Sequence, residues 1–109
     1  MKSRKKQEEE IISEEAVMIK SIAEREMRKL QDKEFSKRIM FILLCKEQKR
    51  IEEDVQLVEK TYNLLIWLLI ENDYHRAVRY LFMFELFIDR LLKNVECVYK
   101  MCTNSSISV

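Results

Sequence analysis

Few residues in this chain are equipped for chemistry. His75 is the only histidine, cysteine occurs at Cys45, Cys97 and Cys102, and there are 19 carboxylates. A histidine acting as a general base needs a group that orients its ring and a pocket that receives a substrate. Here it falls in the first turn of an expected helix beside Arg76 and Arg79, on the polar arc, and reads as a surface residue. Cys97 and Cys102 stand five apart, about 140° around a helix, so one continuous helix cannot close both on a metal. The three thiols and His75 lack the short paired intervals of a zinc site. Cys45 and Cys102 read as packed thiols and Cys97 as the accessible one. A di-metal bundle would show inward-facing Glu and a Glu-x-x-His pair. Glu71, four residues before His75, does not make one, and Glu85 and Asp89 are expected to face outward. With no nucleophile–base pair, phosphate loop or metal motif, the sequence points away from an enzyme, a cofactor or a small-molecule substrate.

The elements that would position these residues follow from composition. The chain has no glycine and no proline, the residues that supply positive φ and fixed φ to tight turns. Folds with many connections are therefore disfavoured, and the expectation is all-α. Net charge is +1, from 20 basic and 19 acidic residues. Both signs are spread along the chain, so the basic face of a nucleic-acid binder is absent. The basic cluster in residues 1–6 reads as a disordered terminus, residues 7–102 as a single helical domain, and 103–109 as a loose tail. Three cysteines without disulfide spacing, and an N-terminus that leads into Glu8, Glu9 and Glu10 rather than an apolar leader, suggest a reducing compartment. Cytoplasm is the expectation, with the nucleus as the other option. The longest apolar runs, 39–45 and 64–70, are seven residues each, well short of the roughly twenty of a transmembrane helix.

Within this frame one stretch organises the rest. Phe41, Leu44, Gln48, Ile51, Val55, Val58, Tyr62, Leu65 and Leu69 alternate at steps of three and four, with charged residues crowded between them. That is a heptad seam, which calls for another helix alongside. Gln48, its one polar member, is expected to fix register. A first helix over 7–31 carries a thin stripe of Ile12, Ala16, Ile19, Ala23, Met27 and Leu30, with a break at 31–33 where Asp32 offers a cap. The second helix, over 33–71, holds the seam without interruption, and Trp67, opposite the seam, needs a second neighbour. Asn72 and Asp73 then turn the chain. The last helix, from Tyr74 to about Cys102, buries Ala77, Leu81, Phe84, Ile88, Leu91, Leu92, Val95, Val98 and Tyr99. On its polar arc Val78, Phe82 and Leu86 form an apolar ridge at i, i+4 and i+8, covered either by the first helix or by a partner. The expected architecture is an elongated three-helix arrangement, with a long central coiled-coil helix and an antiparallel helical hairpin at its C-terminal half.

Function is read from these faces. The leading expectation is a non-enzymatic assembly protein, a small coiled-coil subunit of a homo-oligomer or a larger complex. It would bind protein through Phe41, Leu44, Gln48, Ile51, Val55 and Val58 on the seam, and through Val78, Phe82 and Leu86 on the ridge. The alternative is a monomeric three-helix adaptor that binds one client on a helix face. Its length and the charged turn before its last helix are similar in shape to three-helix chaperone-regulator bundles, although their basic start and inward polar pair are not matched here.

Overall fold

The computed structural model describes residues 13–44 and 48–107. Among them are four α-helices and no strand: α1 (Glu14–Arg28), α2 (Lys33–Leu43), α3 (Gln48–Ile70) and α4 (Tyr74–Ile107). A 3-10 turn, Lys29–Gln31, joins α1 to α2. The 34 residues of α4, about 51 Å at 1.5 Å per residue, set the long axis of a body measuring 56 × 27 × 21 Å.

Three of the helices begin where a short polar side chain takes up an orphan backbone N–H. Ser13 is extended, and its Oγ accepts from the Ala16 N–H at 3.1 Å. Glu14 and Glu15 follow it in the first turn, where the helix dipole favours negative charge. The helix expected from residue 7 thus starts at Glu14; residues 1–12, including the basic cluster and Ile12, lie outside the described residues. Asp32 caps α2 through Oδ2 and the Phe35 N–H at 3.3 Å, so the break expected at 31–33 is there. Asp73 caps α4 through Oδ1 and the Arg76 N–H at 3.3 Å.

The corner between α3 and α4 falls at the expected residues. Asn72 has φ 61°, the left-handed region that a short polar side chain tolerates better than most. The Asp73 N–H donates to the Leu68 carbonyl at 2.9 Å and the Asn72 N–H to that of Leu69 at 3.2 Å, which satisfies the last carbonyls of α3 in a Schellman motif. The Tyr74 hydroxyl donates to Asn72 Oδ1 at 2.9 Å and shares a hydrogen bond with Ser13 Oγ at 2.6 Å. The corner is thereby tied to the start of α1.

The core is two heptad lines facing each other. On α4, Ala77, Leu81, Phe84, Ile88, Leu91, Val95, Val98 and Cys102 are buried, spaced alternately by four and three. On α3 the buried line is Ile51, Asp54, Val58, Thr61, Leu65 and Leu68, with Ile66 and Leu69 beside it. Tyr62 meets Phe84 at 5.7 Å between ring centroids, and Asn94 reaches Asp54 at 2.6 Å, so the two helices run antiparallel. The helix that the seam called for is α4 of the same chain.

The uninterrupted second helix is not found. Ile42 is 0% exposed and Ile51 2%; nine residues apart, they would lie about 180° from each other on one continuous helix. Ending α2 at Leu43 and restarting at Gln48 lets both face α4. Leu44, expected on the seam, is 88% exposed at this corner. Residues 45–47, including Cys45, and the Gln48 side chain lie outside the described residues.

In consequence α1 and α2 run end to end as one kinked column parallel to α4. Ser13 meets Tyr74, Lys29 lies toward Glu85 and Asp89, and Phe41 stacks edge-on against Tyr99 at 5.4 Å. Arg38 adds a guanidinium 5.3 Å from the same ring. Three columns therefore replace the arrangement with a long central helix. Ala16, Ile19 and Ala23 are the buried stripe of α1, as expected, joined by Glu26. The last helix runs past its expected end at Cys102 to Ile107, with Thr103 Oγ1 donating to the Tyr99 carbonyl at 3.0 Å.

A left-handed Asn72 makes a testable demand. Asn72→Ala should lower stability in urea unfolding by about 1–2 kcal/mol, because alanine keeps the Cβ that crowds the following carbonyl oxygen but lacks the short polar side chain that offsets it by local hydrogen bonding. Asn72→Gly should cost less than half of that, the remainder reflecting the lost Tyr74 hydrogen bond. Equal losses would mean that the backbone conformation is not what selects asparagine.

Candidate interaction surface

The groups with chemical potential are dispersed. His75 is exposed in the first turn of α4, Cys97 is exposed and Cys102 is buried, as the sequence indicated. Among the described residues no group of three or more His, Cys, Asp or Glu could hold a metal ion.

One polar cluster does lie between helices. Asp54, 8% exposed, accepts from Asn94 Nδ2 at 2.6 Å and faces Arg90 Nε at 3.8 Å. Glu53, Cys97 and Val98 complete the shallow hollow around it. A buried carboxylate needs this much pairing to offset its lost hydration, and a polar pair at a seam position fixes register. Asp54 is thus a second polar residue on the seam beside Gln48, whose side chain lies outside the described residues. The signal was present: Asp54 and Thr61 fit the three–four spacing of Ile51, Val58 and Leu65. Thr61 satisfies itself, its Oγ1 donating to the Leu57 carbonyl at 2.7 Å. Among the described residues no buried side-chain nitrogen or oxygen lacks a partner.

A second polar tie joins Glu26 to Lys29 at 2.9 Å. The hydrogen bond that the Lys29 ammonium donates to the Glu26 carboxylate holds it above the ordinary lysine value, partial desolvation opposes it, and Glu26, Asp89 and Glu85 add coulombic attraction.

The exposed apolar residues gather at the two ends of the bundle. Met40, Leu43, Leu44 and Met101 mark the end where α2 meets the C-terminal part of α4. At the hairpin end lies the predicted ridge, with Val78 39%, Phe82 62% and Leu86 66% exposed. Helix α1 does not cover it. Met18 and Ile19 border Val78 together with Glu14 and Glu15, and Phe82 and Leu86 stand open. Of the other expected partner-binding residues, Ile51 and Val58 are buried in the chain's own core, and Phe41 and Val55 are packed against it. Trp67, expected to find a second neighbour, is 54% exposed. No helix among the described residues is long and apolar enough to cross a membrane.

Compared with known proteins, the chain matches no family model, no curated protein and no solved structure.

The Asp54 cluster predicts coupling. Asp54→Ala should cost about 1 kcal/mol or a little more, by removing the acceptor of the half-buried Asn94 amide and opening a gap at the seam. Combined with Asn94→Ala, the loss should fall clearly short of the sum of the two single losses. Simple additivity in a double-mutant cycle by urea unfolding would show that the pair does not act as one unit.

Proposed function

We propose that this chain is a non-enzymatic helical interaction protein, a small bundle that acts by holding a protein partner on a helix face, within a homo-oligomer or a larger complex. The observation that carries this reading is the exposure of Phe82 and Leu86, 62% and 66%, on the helix whose opposite face is an unbroken buried seam. Helix α4 needs one face to fold and presents a second apolar line outside. Covering what remains exposed of those two side chains would contribute roughly 1–2 kcal/mol each, about two thirds of the full-burial value. That free energy is available to association because folding has not used it. The binding role expected of the seam passes to the ridge, since Ile51 and Val58 have their neighbours within the chain.

One observation favours the alternative of a monomeric adaptor that grips a single client. The bundle closes its own seam, so it needs no second chain to complete its core. Both readings use the same ridge and differ in stoichiometry.

Replacing Phe82 and Leu86 together with Ser tests the proposal. The melt of the isolated protein should change little, as surface substitutions do, while self-association or co-purification of a partner should be lost. A large drop in stability with unchanged association would show the ridge to be core.

A further inference from the structure

We infer that the ridge receives one helix of a different protein, apolar along its contact line and bearing carboxylates where it meets Arg79 and Lys93. This rests on the reading of the ridge as an interaction surface and names the chemistry of its partner.

The first observation is how α4 sorts its charges. The helix carries the cations Arg76, Arg79, Arg90, Lys93 and Lys100 and the carboxylates Glu85, Asp89 and Glu96. The carboxylates turn toward the α1–α2 column. Glu85 and Asp89 lie near Lys29, and Glu96 borders a hollow shared with Phe35 and Arg38. The line opposite the buried seam holds no carboxylate between Arg79 and Lys93. It runs Arg79, Leu86, Lys93 in steps of seven residues, each step about 10 Å along the axis with only about 20° of rotation. All three side chains are exposed.

The second observation is that these two cations are unmatched. Arg76 pairs with Asp73, Arg90 with Asp54, and Lys100 with Glu96. Among the described residues no carboxylate pairs with Arg79 or Lys93. Leu86, 66% exposed, therefore sits midway between two cations that folding leaves free. One heptad is also the interval at which a helix lying along α4 repeats its contacts. A helix with an apolar side chain at one position and carboxylates seven residues before and after it meets all three. Phe82, one turn earlier, takes a second apolar residue. Such rim charges select the partner more than they tighten its grip.

Shape decides among anionic partners. A bilayer laid on Leu86 would reach past the line to Glu85 and Asp89, and to Glu14 and Glu15 beside Val78, which repel an anionic surface. A phosphate backbone gains nothing from Phe82 and Leu86. A helix about 10 Å wide rests on the line and clears that acidic edge.

Fluorescence anisotropy of the full chain with two labelled synthetic peptides tests the inference. Each peptide has about 20 residues on an alanine background, long enough to be helical. Leucine stands at the centre and four residues to either side. Seven residues to either side of the centre, one peptide has glutamate and the other lysine. The glutamate peptide should bind about tenfold more tightly or better, and added salt should narrow the difference. Arg79→Glu with Lys93→Glu should reverse the preference without altering the melt, since neither side chain has a partner to lose. Comparing the peptides on the unaltered chain needs no folded variant. Equal affinity for both peptides, a preference that survives the charge reversal, or binding of neither at millimolar concentration would each overturn the inference. Phosphatidylserine vesicles that bind the chain while the glutamate peptide does not, or a homodimer in sedimentation that the peptide fails to displace, would do the same. If the charge-reversed variant still captures a protein that Phe82→Ser with Leu86→Ser loses, the acidic helix falls and the interaction reading stands.

Discussion

The buried line of α4, from Ala77 to Cys102, is what the other three helices are fitted to. Helix α3 lies against it antiparallel, and the α1–α2 column lies along it in the same direction, so each is placed by contact with one rod. A strict three–four spacing keeps that line facing its neighbours only if the helices wind gently round each other with a left-handed twist. Where a segment could not keep its apolar residues on that line as one straight helix, the chain broke. Ile42 and Ile51 are the clearest instance. The corner between them is the cost of presenting both to α4.

Polar groups then refine what the apolar line leaves undetermined. Two apolar helices can slide by a heptad with little loss, whereas Asp54 must meet Asn94 and Arg90 or remain a buried charge without support. Ser13, Tyr74 and Asn72 do the same at the hairpin end, where a hydrogen-bonded chain links the first described residue to the corner. The bundle is thus indexed near both ends of its α3–α4 interface. The outer face of α4 is held at a defined distance from α1, and Phe82 and Leu86 remain open as a result.

Much of this could be read from the residues. Absence of glycine and proline implied helices, and the pair Asn72-Asp73 marked the corner because each residue has a specific local reason to sit there. Asp32 marked the kink for the same reason, and the arc of α4 followed from its period. The ridge was legible because three apolar residues interrupt an otherwise polar arc. What escaped was direction and phase. Residues 39–45 are apolar all round, so a seam can be threaded through Phe41 and Leu44 as easily as through Ile42, and nothing in a period says whether the chain continues or turns back. Without glycine or proline, nothing between Leu44 and Gln48 in the sequence marks the end of α2. Asp54 escaped because a search for apolar spacing passes over a carboxylate that is buried by virtue of its partners.

The uneven distribution of bulk among the columns has a dynamic consequence. Helix α1 is held by Ala16, Ile19 and Ala23, a stripe with little side-chain volume, whereas α3 and α4 interlock through leucine, isoleucine and phenylalanine. Opening the first should take only a fraction of the free energy that opens the second. The expected order is that amides of α1 exchange with solvent through local detachment, while those in the middle of α3 and α4 wait for global unfolding. Native-state hydrogen exchange reads this order directly. Because Met18 borders Val78, the side of the molecule that carries the exposed ridge is also the side able to yield, with the hairpin behind it staying rigid.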